Sequence, residues 1–529
     1  MNRGKMLRRL LRGGIALSVA TVATMAYQPV RAAETLVIAA VTTPKGFDGD
    51  VFVPGMVENN INVYEGLTDY GLKQGPDGRM EVDASNLLPH LAESWTITDG
   101  GKTVTVKLRS AKSFFGNELS ADDVVFGHEK SLTQKRTGVF IRNVSSIESV
   151  EKVSDKEVRY RLKGPNAILF GGMQIYVPAI YDSKTVKENA TADDPFGIKW
   201  IANNTAGYGA YHVESVRPGE GAVLVRNPNY FGDRPYFDRV IYRDVPSAAN
   251  RAALVKSGAA QWAEQVPIQA IPDLIKDPNV KVERVIGTGS AALSMNAAFK
   301  PFDDIRVRRA MKLATNYEAI NKTVFLGLGT PSLSFLATQM PGYIETSPHV
   351  TDYDEAKKLL AEAGYPNGVE VTLEYTDLYW WEEGMAIQIQ ESMKNAGITV
   401  TPKRIPSTEL RKRAGPGQRT LAFHTSQTTP FVLDPGYQLF LTAHTGGSSN
   451  VSGYINPAMD KLIEDITAEL DPDKRVQLTQ EAQRILANDV LQVDTFYPGV
   501  YAVMAPCITG WVWKPIPYLY YRTLKCEKS

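Results

Sequence analysis

Val369-Glu370-Val371-Thr372-Leu373-Glu374-Tyr375 puts Val369, Val371, Leu373 and Tyr375 on one face of an extended chain. That alternation is the period-two signature of a β-strand. Helical spacing follows through Met385, Ile389 and Met393, stops at Gly397, and gives way to a second strand at Ile398-Thr399-Val400. Strand, helix and strand in this order form a βαβ unit, whose strands run parallel with a right-handed crossover. The fold class expected from this stretch is α/β.

Working outward, the residues around it are rich in helix signals. Asp303-Asp304 precedes an apolar face of Val307, Ala310, Met311 and Ala314, and a helix from about Asp354 to Ala363 ends at Gly364. Pro457 and Asp471-Pro472 place proline at the first helical position of two more helices. Before residue 290 the chain is richer in strands, with Leu36-Val37-Ile38-Ala39, Thr103 to Leu108, Val158 to Leu162 and Ala222 to Val225. Ser120-Ala121-Asp122-Asp123 opens a helix there, with Ser120 as its N-cap. Strand-like, aromatic sequence returns from Val493 to Trp513. A mixed region, an α/β region and a return describe one domain inserted into another. The junctions are expected near Ser294-Met295-Asn296 and Val493-Asp494-Thr495. Two crossing segments make a hinge, and the cleft between the lobes is the expected ligand site.

Composition sets the outer bounds. The chain has 529 residues, 43% hydrophobic and 22% charged, which is globular rather than disordered or fibrous. That length exceeds one ordinary core, so two or three structural units are expected. Six of the 58 basic residues, Arg3, Lys5, Arg8, Arg9, Arg12 and Arg31, fall in the first 33 positions, which hold no acid. The remainder is therefore acidic, with 52 basic against 58 acidic residues, and a nucleic-acid partner is not expected. The basic start leads into an apolar run from Gly13 to Ala26 and small residues at Val30-Arg31-Ala32-Ala33. These are the three parts of a secretory signal peptide over residues 1–33, and Arg8-Arg9-Leu10-Leu11 also fits a twin-arginine signal. The run is shorter than the roughly 20 residues of a membrane-spanning helix. No Cys follows it to carry a lipid, so a periplasmic protein without an anchor is expected. Cys507 and Cys526 are the only cysteines; in an oxidising compartment they can pair, the alternative being two buried thiols.

Catalytic signatures are absent. The sequence holds no G-x-S-x-G, no H-E-x-x-H and no G-x-x-x-x-G-K-[ST], and Gly287-Thr288-Gly289-Ser290 reads as a turn. Its six histidines are scattered without metal-ligand spacing, so neither a metal site, a cofactor nor a catalytic residue is expected. His424 stands apart, because it follows the strand-like Leu421-Ala422-Phe423 and can face a cleft.

Longer motifs carry a family resemblance. Leu88-Pro89-His90-Leu91-Ala92-Glu93-Ser94-Trp95, Asp99-Gly100-Gly101-Lys102 and Ala121-Asp122-Asp123-Val124-Val125-Phe126 resemble the signature of the family 5 solute-binding proteins. Gly207-Tyr208-Gly209-Ala210-Tyr211, Arg226-Asn227-Pro228-Asn229-Tyr230-Phe231 and Gly453-Tyr454-Ile455-Asn456-Pro457 continue the match in order. These are peptide- and nickel-binding components of ABC importers. The resemblance implies a two-lobed, class II-like periplasmic-binding-protein fold with an extra domain in the first lobe. Residues 34–77, 203–290 and 495–529 would form the first lobe, 78–202 its extra domain, and 291–494 the second lobe. It also implies a monomer that captures a peptide or small-molecule solute by lobe closure and hands it to permease subunits in the inner membrane. A different solute on the same fold (an opine, an oligosaccharide or a nickel chelate) is the alternative, with an exported hydrolase as a third reading.

Ligands of open α/β sheets bind beyond the carboxyl ends of the strands. That rule selects the loop Thr376-Asp377-Leu378-Tyr379-Trp380-Trp381 and the segment from His424 to Tyr437. Resemblance to dipeptide-binding relatives implies an Asp for the ligand amine, a pattern that Asp434-Pro435 matches, and an Arg in the first loop, which this chain lacks. Tyr379, Trp380 and Trp381 would supply an aromatic wall instead, with at least one of the tryptophans in the core. The expected ligand-binding residues are thus Asp434, Tyr379, Trp380, Trp381, His424 and Tyr437. Phe47 to Pro54 in the first lobe is similar to a family stretch that lines the cleft.

Overall fold

The computed structural model describes residues 34–52, 55–75, 78–415, 417–516 and 519–527. The signal peptide expected over residues 1–33 lies outside the described residues.

The βαβ unit forms as its spacing predicts. Val369–Tyr375 and Ile398–Arg404 pair in parallel from Val369 opposite Ile398 to Tyr375 opposite Arg404. The helix Glu382–Lys394 between them buries Met385, Ile389 and Met393. These strands edge a six-stranded sheet, in the order Thr330–Pro331, Gln492–Tyr497, Ser290–Met295, Phe423–Thr428, Val369–Tyr375, Ile398–Arg404. Ser290–Met295 runs antiparallel to both of its neighbours, so the sheet is mixed.

A seven-stranded sheet supplies the other lobe, and all its strands come from residues within 34–77, 203–290 and 495–529. Thr35–Ala40 is central, between its parallel neighbours Arg239–Asp244 and Trp262–Ala263, with Leu36, Ile38, Ala39 and Ala40 fully buried. A four-stranded antiparallel sheet, Ala92–Thr98, Thr103–Leu108, Glu157–Leu162 and Ile147–Ser154, packs on the helix Ala121–Gln134. At the start of that helix the backbone N–H of Ser120 donates to the Asp123 carboxylate at 2.7 Å, completing the capping box.

The chain crosses between the lobes at two places that differ from the expected ones. Ser294 and Met295 lie inside a strand, paired with His424 and Phe423, and Val493 to Thr495 lie inside another. The crossings fall at 286–289, between Lys281–Val285 and Ser290–Met295, and at Pro498-Gly499, between Gln492–Tyr497 and Val500–Met504. Gly287 and Gly499 have φ of 72° and 83°, a conformation that side chains resist. The glycine cluster read as a turn is thus one strand of the hinge.

The boundary drawn at 77/78 also cuts a real unit. Thr68–Gln74 and Met80–Pro89 form one hairpin, and Tyr70 and Val82 from it pack against Leu336, Met340, Leu433 and Leu439 of the second lobe. Near the C-terminus Cys507 and Cys526 are joined in a disulfide, and Ile508–Thr509 pairs with Lys525–Cys526 beside it. No helix among the described residues is long and apolar enough to cross a membrane.

Candidate functional site

Between the lobes lies a cavity of about 590 Å³. Phe52, Phe140, Ile141 and Ile175 line it from the first-lobe side. Tyr379, Glu382, Arg411, His424 to Thr429, Phe431 and Tyr437 line it from the second. Tyr379 and Glu382 follow the carboxyl end of Val369–Tyr375, as the sheet rule requires, whereas Phe423–Thr428 lines the cavity from His424 onward and Arg411 comes from the helix Ser407–Ala414. A further cavity of about 610 Å³ sits beside the first crossing, lined by Met80 to Ser85, Glu283 to Ile286, Trp511 and Trp513. It contains none of the residues expected at a ligand site.

The first-lobe wall rests on a buried ion cluster. Lys130, fully buried on the helix Ala121–Gln134, reaches Asp48 at 2.6 Å and Asp50 at 3.0 Å. The Tyr181 hydroxyl donates to the same Asp48 oxygen at 3.0 Å. Burial pushes Asp50 up to about 6 against the pull of Lys130. This cluster anchors the loop that carries Phe52, whose ring lies 4.7 Å from Phe431 across the cleft.

Three of the expected residues meet in the cavity. Tyr379 forms part of its wall, and Tyr437 is buried beneath it with its ring 6.5 Å from Phe140. His424 is fully buried at the cavity's edge, and neither ring nitrogen has a hydrogen-bond partner. Burial lowers its pKa to about 4, with Glu374 opposing and Arg413 reinforcing the effect. The folded state therefore refuses a proton that the unfolded chain takes up near pH 6.5. Stability from this group is complete above that pH and falls as pH drops toward 4. Between pH 7 and pH 4.5 the protein should lose about 2 kcal/mol more than His424→Phe. Urea unfolding of both proteins at the two pH values checks this, and equal losses would refute it.

The other three expected residues are placed differently. Trp381 is 1% exposed and belongs to the second-lobe core, where it stacks under Tyr379 with ring centroids 5.7 Å apart. Its Nε1–H donates to Gln427 Oε1 at 3.2 Å, so it supports the wall from behind. Trp380 points the opposite way, 48% exposed against Phe325 and outside the cavity. Asp434 is also outside the cavity lining and makes its contacts within the second lobe. Its Oδ1 caps the helix Pro435–Thr442 by accepting from the Tyr437 N–H at 3.0 Å, and it takes the Arg475 guanidinium at 2.6 Å. A carboxylate that already caps a helix and pairs with an arginine has little left to offer an ammonium ion.

Sequence reasoning missed Phe140, Glu382 and Arg411, while Gln427 and Phe431 fall inside the selected segment without being singled out. Glu382 directly follows the quoted aromatic run, and the adjacency was a usable signal. Arg411 sits in a basic run that nothing local distinguishes from a solvated helix face.

Residues 86–461 match the family model described as bacterial extracellular solute-binding proteins, family 5 Middle. The chain is 26% identical over 515 residues to the Heme-binding protein A of Haemophilus influenzae, covering 92% of this chain and 91% of that one. It is 24% identical over 559 residues to the Dipeptide-binding protein of Escherichia coli, with 98% of each covered. Among solved structures it superposes on the periplasmic binding protein DppA of Helicobacter pylori in complex with peptide STSA. The TM-score is 0.76 at 23% identity, over 93% of this chain and 98% of that one.

Proposed function

This chain belongs to the bacterial extracellular solute-binding proteins of family 5, a family of binding proteins rather than enzymes, and from that premise we propose that it captures peptides or peptide-like solutes in the interlobe cavity. It works in the periplasm as a monomer and delivers its ligand to the permease of an ABC importer.

One observation carries the peptide reading. Phe423–Thr428 pairs along its whole length with Ser290–Met295, but meets Val369–Tyr375 only where His424 opposes Glu374. From Thr425 onward its second edge has no strand partner among the described residues, and these residues line the cavity. Such an edge offers alternating N–H and C=O groups to an extended chain, which binds by adding a strand. Aromatic side chains on both walls then cover its side chains with little need for a fixed sequence.

Native mass spectrometry of protein isolated from periplasm should show bound material containing peptide bonds. Peptide binding should also lower the radius of gyration, because Phe52 and Phe431 belong to different lobes. A bound solute without an amide would reject the peptide reading. An unchanged scattering curve with a confirmed ligand would reject lobe closure.

A further inference from the structure

We propose that the cavity beside the first crossing is a second binding site, which takes a small molecule with an aromatic body and one anionic group and links its occupancy to the angle between the lobes. The site does not depend on what the interlobe cavity binds, and the link rests on the hinge formed by the two crossings.

The crossing chain runs between the two cavities. Ile286 lines the second cavity. Three residues on, a Cβ at Gly289 would meet Gln427 Nε2 at 2.6 Å and Thr429 Oγ1 at 2.7 Å, and both of those residues line the interlobe cavity. The second cavity also takes its walls from both lobes, with Arg284 and Trp513 from the first and Thr330 and Met340 from the second. Its volume of about 610 Å³ is that of a small-molecule site.

Its lining is an aromatic and thioether surface with one uncompensated positive charge. Trp511, half-buried with its ring 5.9 Å from Trp262, and Trp513 supply flat apolar area, and Met80 and Met340 supply polarizable sulfur. Such a surface suits an aromatic ring. The acids of the wall are engaged: Glu283 pairs with Lys281 at 2.6 Å, Glu81 lies 3.8 Å from Lys73, and Asp83 accepts from the Ser85 hydroxyl at 2.6 Å. Arg284 forms no ion pair among the described residues; its guanidinium donates to Thr330 Oγ1 at 2.6 Å, and its Nε has no hydrogen-bond partner. Trp513 is 8% exposed, and its Nε1–H is likewise without a partner. Two buried N–H groups without acceptors on one cavity call for an acceptor from outside the chain. A guanidinium without an acid selects an anionic one.

The same two residues touch the hinge. A Cβ at Gly499 would lie 3.0 Å from Arg284 Nε, and one at Gly287 would lie 4.0 Å from Trp513 Cζ2. The bond from Arg284 to Thr330 joins the lobes, and Gln339 Nε2 of the second lobe donates to the Gly287 carbonyl at 2.9 Å. A change in lobe angle moves these groups relative to one another, so a molecule that bridges them binds the two states unequally. It then shifts the equilibrium between them.

The test uses 8-anilino-1-naphthalenesulfonate, an aromatic anion, and N-phenyl-1-naphthylamine, which differs from it only in lacking the sulfonate. Fluorescence titration of the unaltered protein should give one site for the sulfonate, and a soaked crystal should place its rings against Trp511 and Trp513. Arg284→Gln should weaken the sulfonate at least about tenfold, the effect of losing a charge-assisted hydrogen bond, and leave the neutral amine unchanged. Retained amine binding shows that the variant folds. Scattering should give different radii of gyration with and without the sulfonate. No density against the two tryptophans, or full sulfonate affinity in Arg284→Gln, would refute the site and make any binding elsewhere an adventitious additive only. Sulfonate bound at the site with an unchanged radius of gyration would refute the link to lobe angle. Neither result bears on the peptide reading of the interlobe cavity.

Discussion

Lys130→Ala is expected to destabilise the first lobe by about 3–5 kcal/mol, the usual cost of leaving buried charges without their partner. Lys130 and Asp50 are fully buried and Asp48 nearly so. Burial already pushes Asp50 up to about 6 with Lys130 present, so without it the carboxyl should become protonated at neutral pH. The loop bearing Phe52 then loses its anchor, and ligand affinity should fall along with stability. Urea unfolding measures the first effect. Lys130→Met combined with Asp48→Asn and Asp50→Asn should recover much of the loss, because no charge is left stranded. Lys130→Ala with unchanged stability would mean that the cluster contributes nothing to the fold.

Trp381→Ala should cost a similar amount, about 3–5 kcal/mol, because an indole removed from a close-packed core leaves a cavity. Its neighbours in that core include Met385 and Ile389 on the adjoining helix. Tyr379 would lose the ring it stacks on and Gln427 the donor that orients it, so peptide affinity should drop as well. Trp380→Ala should change stability by less than about 1 kcal/mol, as exposed substitutions do. Denaturation midpoints for the two variants decide this directly. Equal losses would contradict the placement of the two side chains.

The adjacent tryptophans show how far sequence reading reaches. That one of them is core follows from their being neighbours, since successive side chains point in different directions. Which one it is depends on how the helix Glu382–Lys394 lies on the sheet, and contacts across the lobe set that packing. Asp434 shows the converse. Asp-Pro has the local chemistry of a helix start, a role the sequence reading gave to Asp471-Pro472 and not to Asp434, and the cap does form here. Its pairing with Arg475 joins residues far apart in the chain, and no local pattern announces it.

The chain's own periodicity determined the βαβ unit, the insertion of one domain in another and the loops at the carboxyl ends of the strands, because these depend on residues close in sequence. The family motifs pointed to a binding protein without naming its contacts. Tertiary structure alone decided that the crossings sit at 286–289 and 498–499, since only strand pairing shows where one sheet ends and the other begins. It alone brought Phe52 and Phe140 of the first lobe to the cavity that Tyr379 and Tyr437 line from the second. Pairing likewise joined Glu374 to Arg413 and Asp377 to Arg404, residues distant in the chain. A charge's availability depends on which partners reach it through space, and no local pattern of residues records that.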